Sequence, residues 1–135
     1  MDQASLIARA QACVGEFLLA EEWLSAGGVA AALVTDAGTI YTGICVDVAC
    51  GIGFCAEHSA VAAMLMNRET VIRQIVAVTA EGILPPCGRC RELLLQVDRR
   101  NLDCEVVLAE GVTRTLRELL PYPWFMRKSD GPPDA

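Results

Sequence analysis

Hydrophobic positions along the chain change period several times, and each change marks an element. Leu6, Ala10, Cys13, Val14, Phe17 and Leu18 recur at helical spacing behind Asp2 or Ser5, either of which can cap. A first helix is therefore predicted to run to about Glu22, and Ser25-Ala26-Gly27-Gly28 breaks the pattern. Residues 29–35 and 39–46 read as strands joined by Asp36-Ala37-Gly38, which has hairpin-turn chemistry. Residues 47–54, with Gly51 and Gly53, form a loop feeding a helix over 55–67 whose inward positions are Ala60, Met64 and Leu65. The β-branched run 71–79 reads as a buried strand, 81–86 as a loop, and Pro85-Pro86 precedes a helix over 87–97. Strand 104–109, a tight turn at Glu110-Gly111, an antiparallel return over 112–115 and a short helix over 116–120 complete the pattern.

The order is thus α-β-β-α-β-α-β-β-α, with five strands. Its two β-α-β crossovers should be right-handed and make part of the sheet parallel. One domain over 1–125 is expected, followed by a charged, Pro-rich tail over 126–135 that reads as disordered. Crevices at the strand ends of such sheets are where ligands bind.

Composition narrows the partners. The net charge is −6 and Lys128 is the only lysine, so clustered cations for a phosphate backbone are missing; nucleic acid is not expected. No apolar run reaches the roughly 18 residues of a membrane span, so no membrane partner is expected. Met1-Asp2-Gln3 is not the start of a secretory signal, and with seven cysteines this points to a reducing, cytoplasmic setting. A small neutral or cationic ligand fits best.

Two stretches carry the chemistry: Cys55-Ala56-Glu57 and Pro86-Cys87-Gly88-Arg89-Cys90. Cysteines at i and i+3 of a helix share a face, and thiolates bind a tetrahedral ion at roughly 2.3 Å. Cys55 as a third thiolate leaves one position open for water, the mark of a catalytic zinc, with Glu57 as the acid/base beside it. Two helix N-termini would offset the negative charge of three thiolates. Such a site suits attack on an electron-poor ring carbon bearing an amine, with loss of ammonia. A redox Cys-x-x-Cys and a structural zinc closed by Cys50 or His58 are the rivals, but neither accounts for Cys-Ala-Glu.

Together the two motifs resemble the signature of the zinc-dependent cytidine deaminase family. Val29-Ala30-Ala31-Ala32-Leu33, Ile83-Leu84-Pro85-Pro86 leading into Cys87, and Leu119-Leu120-Pro121 are also similar to it, so the resemblance spans nearly the whole chain. It implies a three-layer α-β-α fold on a five-stranded mixed sheet, one Zn2+ per chain on Cys55, Cys87 and Cys90, and Glu57 as proton shuttle. It implies too a small-molecule nucleoside substrate and a homotetramer, or a homodimer. The Glu110-Gly111 turn is similar to the free-nucleoside branch. Cys-Gly-Arg-Cys-Arg is similar to blasticidin S deaminase, which makes a non-standard aminopyrimidine nucleoside the alternative substrate.

The remaining site residues follow from that resemblance. His58 stands where relatives carry an arginine that serves the zinc thiolates, and Arg89 is read the same way; an ordinary helix histidine and a solvated arginine are the plainer readings. Cys45 and Asp47 fall where relatives hold the sugar with an Asn-x-Glu pair, and Ala56 belongs to the substrate contacts. An aromatic of the family is replaced by Gly27, and the loop before Cys55 is about one residue short. Trp124 falls where relatives reach a neighbouring subunit's substrate; the plainer reading is a plug for the C-terminus. Cys13, Cys45, Cys50 and Cys104 read as small buried residues, with Cys50 also a candidate fourth ligand.

Overall fold

A computed structural model describes residues 2–124. Helix α1 (Gln3–Gln11) is followed by strands β1 (Phe17–Leu18), β2 (Ser25–Thr35) and β3 (Ile40–Asp47), then helix α2 (Ala56–Met66). Strands β4 (Ile72–Thr79) and β5 (Gly82–Leu84), helix α3 (Gly88–Val97) and a 3-10 turn (Arg99–Asp103) come next. Strands β6 (Glu105–Ala109) and β7 (Val112–Thr115) and helix α4 (Leu116–Leu119) complete it. The expected tail over 126–135 lies outside the described residues.

The five long strands lie in the order β3-β2-β4-β6-β7. Strand β2 is antiparallel to both β3 and β4, so β3 and β4 run the same way on either side of it. β4 and β6 are parallel neighbours, Gln74 facing Glu105, and β7 returns antiparallel. Helices α2 and α3 are the two crossover helices. Because β3 and β4 point the same way, α2 and α3 both begin beyond the same end of the sheet.

Alternation along the strands makes the layers. Ala32, Val34, Val76, Val78 and Val107 face α1 through Leu6, Ile7 and Ala10. Ala31, Leu33, Ile75, Ala77 and Val106 face the opposite layer, where Ala60 and Met64 of α2, Leu94 of α3 and Leu116 of α4 are all fully buried. Leu65, expected to face inward, is 38% exposed; it lies one position round from the Ala56, Ala60, Met64 face. At Gly43 on β3 a Cβ would overlap the Ala60 amide and Ser59, so this glycine lets α2 lie directly on the sheet. The depth of α2 in turn sets the height of Cys55 and Glu57.

The sheet has seven strands rather than the five expected, the additions being β1 and β5. Helix α1 starts as predicted, Ser5 N donating to Asp2 Oδ1 at 2.8 Å, but ends at Gln11 instead of near Glu22. Gly15 N donates to Gly27 O at 2.9 Å, which draws the chain onto the sheet, and Phe17 and Leu18 pair with Ala26 and Ser25. Their helical spacing was a coincidence: they are 51% and 60% exposed. Gly27 has φ +85°, and a Cβ there would overlap the Gly15 carbonyl oxygen. The stretch Ser25 to Gly28 that read as a break is thus the start of β2, with its register shifting between Ala26 and Ala30.

Candidate metal centre

Cys55 is the N-cap of α2 and Cys87 the N-cap of α3, each in extended conformation. An N-cap is ordinarily Ser, Thr, Asp or Asn, whose oxygen accepts from the first turn. Neither cysteine makes a conventional capping bond, although the first-turn N–H groups of Arg89 and Cys90 act on the Cys87 sulfur. Cys90 falls on the first turn of α3 and is fully buried.

The sulfurs converge. Cys55 Sγ lies 3.5 Å from Cys87 Sγ, and Cys87 Sγ lies 3.6 Å from Cys90 Sγ. Three thiolates on a tetrahedral ion at 2.3 Å would be about 3.8 Å apart, so the spacing fits a shared zinc with little adjustment. His58 Nδ1 is 3.6 Å from Cys90 Sγ, and the ligand atoms of Cys55, His58 and Cys90 all lie within 4.8 Å of one another. The donor set is thus one histidine and three cysteines, the soft and borderline set that zinc favours over magnesium or calcium. Cys50, considered as a fourth ligand, is exposed and belongs to no donor cluster among the described residues.

Electrostatics differ from sulfur to sulfur. Burial pushes the Cys90 thiol far above the ordinary range, with the Glu57 charge adding to it. Burial and the neighbouring Cys87 also raise Cys55. Burial acts on Cys87 as well, but the backbone N–H groups of Cys90 and Arg89 and the other thiols outweigh it, so Cys87 is lowered. Glu57 is 4% exposed, and burial raises its carboxyl above the usual range. His58 is lowered, by burial first and then by the charge of Arg89.

A cavity of about 780 Å³ opens onto this cluster. Cys55, Ala56, Glu57 and Cys87 line it, whereas Cys90 and His58 do not. The cluster therefore has a front, formed by two thiols and a carboxyl, and a back, formed by the buried cysteine and the histidine. An ion held by the three sulfurs would turn its fourth position to the cavity, beside Glu57.

The other walls come from β2, β3, the 48–54 loop and the β1–β2 turn. Asp47 lines the cavity, as expected. Cys45 also borders it, but its sulfur is engaged: Val29 N donates to it at 3.2 Å, and it donates to Asp47 Oδ2 at 3.4 Å. Among the described residues Arg89 is the one cation lining the cavity, and its Nη1 donates to Gly53 O at 3.2 Å. Trp124 does not line the cavity. Nor is it a plug: its indole is 84% exposed, and its backbone N donates to Glu92 Oε1 at 2.6 Å. Of the cysteines read as buried, Cys45 and Cys104 are; Cys13 is half-buried and Cys50 exposed.

One residue escaped the sequence reading. Trp23, at the β1–β2 turn, lines the cavity while 71% exposed. The turn is closed by Leu19 N to Leu24 O at 2.9 Å and Leu24 N to Glu21 O at 3.0 Å. An unpaired tryptophan ahead of a strand was the available signal, hidden because residues 17–22 read as helix.

Residues 8–105 match the family model for the cytidine and deoxycytidylate deaminase zinc-binding region. A curated cytidine deaminase of Mycobacterium tuberculosis is 37% identical over 96 residues, 69% of each chain. The crystal structure of cytidine deaminase from Mycobacterium tuberculosis superposes with a TM-score of 0.77 at 26% identity, covering 93% of this chain and 99% of that one. The cytidine deaminase from Burkholderia pseudomallei gives 0.73 at 29% identity, covering 92% and 100%.

Proposed function

The chain belongs to the cytidine and deoxycytidylate deaminase family, a zinc-dependent nucleoside hydrolase with one zinc site, and from that premise we propose that it deaminates a free 4-aminopyrimidine nucleoside. Water adds at C4, the bond from C4 to the exocyclic amine breaks, and ammonia leaves. The observation that carries this is the front of the cluster: Cys55, Cys87 and Glu57 meet the cavity while His58 stays behind Cys90.

Cys55, Cys87 and Cys90 are assigned as the zinc ligands. Zinc bound there would lower the pKa of a coordinated water from 15.7 towards about 7. Glu57 accepts one proton from the water and passes it to the ring nitrogen, then carries the proton of the new C4 hydroxyl to the departing amine. Its burial favours this exchange, because a carboxyl raised above its ordinary range is a stronger proton acceptor than an exposed one. His58 Nδ1 lies 3.6 Å from Cys90 Sγ, and in the tautomer protonated at Nδ1 it would draw charge from a thiolate there without being a ligand.

Substrate contacts come from the opposite side. Trp23 offers an aromatic face to a planar base, and Asp47 offers a carboxylate to a sugar hydroxyl. Cys45 orients Asp47 instead of touching the ligand. Two carboxylates and a single engaged arginine favour a neutral nucleoside over its 5′-phosphate. A homotetramer in the cytoplasm belongs to the same proposal, supported by exposed Phe17, Leu18, Tyr122 and Trp124 and by seven cysteines free of disulfides.

An ammonia-release screen of cytidine, deoxycytidine, their 5′-monophosphates, blasticidin S and aminopurine nucleosides tests the reading. Turnover of cytidine or deoxycytidine with little on the monophosphates is expected. Turnover confined to blasticidin S would select the alternative substrate, and turnover of none would refute the activity.

A further inference from the structure

The segment between β3 and α2 is short, bears two residues in the left-handed region, and leads directly into Cys55. Cys50 has φ +63° and Gly51 φ +66°, so the chain doubles back here. It is tied to β3 by a two-bond bridge, Val46 N to Phe54 O and Phe54 N to Val46 O, both 3.0 Å. Gly53 permits that bridge, since a Cβ there would overlap the Val46 carbonyl oxygen. A side chain from outside is hydrogen-bonded to this segment: Arg89, whose Nη1 donates to Gly53 O at 3.2 Å.

We propose that Arg89 is a positioning residue that clamps the 48–54 segment to the start of α3 and thereby sets the width of the substrate cavity. Its place is specific. Arg89 lies between Cys87 and Cys90 on one side of the metal centre, and Gly53 lies two residues before Cys55 on the other. A charge-assisted hydrogen bond therefore joins the two cysteine-bearing segments, in addition to the His58–Cys90 contact at the metal centre. Val48, Ala49, Gly51, Gly53 and Phe54 all line the cavity, so where Gly53 is held determines where that wall stands. The same bond occupies Arg89, the one cation lining the cavity among the described residues, so Arg89 shapes the wall instead of binding an anion on the substrate.

The effect on substrate rests on the deaminase reading, whereas the effect on the loop does not, and two readouts separate them. Hydrogen exchange of the zinc-loaded full chain should be about tenfold faster over 48–54 in Arg89→Ala and close to wild type elsewhere, matching the loss of one hydrogen bond from a charged donor. Zinc content should stay at one per chain. KM for the nucleoside should rise about five- to tenfold, with kcat changing less than about twofold. Arg89→Lys, which can still donate to the carbonyl, should recover part of both effects. Unchanged exchange over 48–54 would overturn the clamp, leaving Arg89 a solvated charge. Loss of zinc or a fall in kcat with the loop unchanged would overturn it as well, assigning Arg89 to the thiolates. Faster exchange with no detectable turnover would uphold the clamp and count against the deaminase reading alone.

Discussion

The two ends of the cavity are built by opposite means. At the cysteine end, every functional atom sits on the first turn of a helix or at its cap, and both helices are seated on the sheet by fully buried Ala60, Met64 and Leu94. At the substrate end, Trp23 rides on a turn beyond a two-residue strand, and the facing wall is a loop held by one backbone bridge and one arginine. Helix caps fix atoms because the backbone hydrogen bonds of a whole helix fix the cap. Loops fix them only as well as their few ties allow. In the proposed function the reaction type is therefore assigned to the rigid end and substrate choice to the adaptable one.

Breaking the rigid end should cost most. Glu57→Gln keeps the shape of the side chain and removes its proton exchange, so kcat should fall by a factor on the order of 10²–10⁴ while bound zinc is retained. Steady-state kinetics with parallel metal analysis would check this, and full activity would remove the proton shuttle from the account. At the adaptable end the penalty should be smaller and of a different kind. Trp23→Ala should raise KM roughly tenfold, the order expected for loss of one stacked ring, with kcat changed less. A fall in kcat equal to that of Glu57→Gln would erase the distinction between the two ends.

The smallest effect lies away from both ends. Asp98 accepts from Thr70 Oγ1 at 2.8 Å and pairs with Arg100 at 2.8 Å; the Arg100 hydrogen bonds hold its carboxyl down at about 2 despite the opposing effect of burial. A depressed carboxylate stabilises the fold fully above its unfolded value of about 3.9 and loses that contribution as pH falls towards 2. Arg100 is 71% exposed, so solvent screens the ion pair, and Asp98→Asn should cost only about 1 kcal/mol at pH 7. In urea titrations the difference from wild type should shrink between about pH 4 and pH 2, with deamination unchanged at neutral pH. A difference that persisted at pH 2 would mean that packing, and not charge, accounts for Asp98.

The legible features were the local ones. Cys87 and Cys90 announce a shared face by their spacing alone, Pro85-Pro86 marks the start of α3, and the β-branched run of β4 reads as buried without help. The β6–β7 return follows from a two-residue turn. The features missed depend on contacts between distant segments. Phe17 and Leu18 satisfy a helical period, and only the pairing of Gly15 with Gly27 shows that they belong to a strand. Trp23 reaches the cavity because that pairing turns the chain back. Arg89 was visible as a member of its motif, but its partner is 36 residues away and is a backbone oxygen, which leaves no mark in the sequence. Cys45 was legible as a residue near the site, but its engagement by Val29 N depends on the register of β2 against β3.

The central claim is that three sulfurs hold the metal and that His58 stands behind them. Zinc-edge X-ray absorption on the zinc-loaded chain and on His58→Gln tests it directly. Three sulfur scatterers at about 2.3 Å and one light atom, with no imidazole signature and the same spectrum in the variant, are the predicted result. An imidazole signature that disappears in His58→Gln, or zinc that is lost with it, would contradict the claim and close the site that the reaction requires to be open.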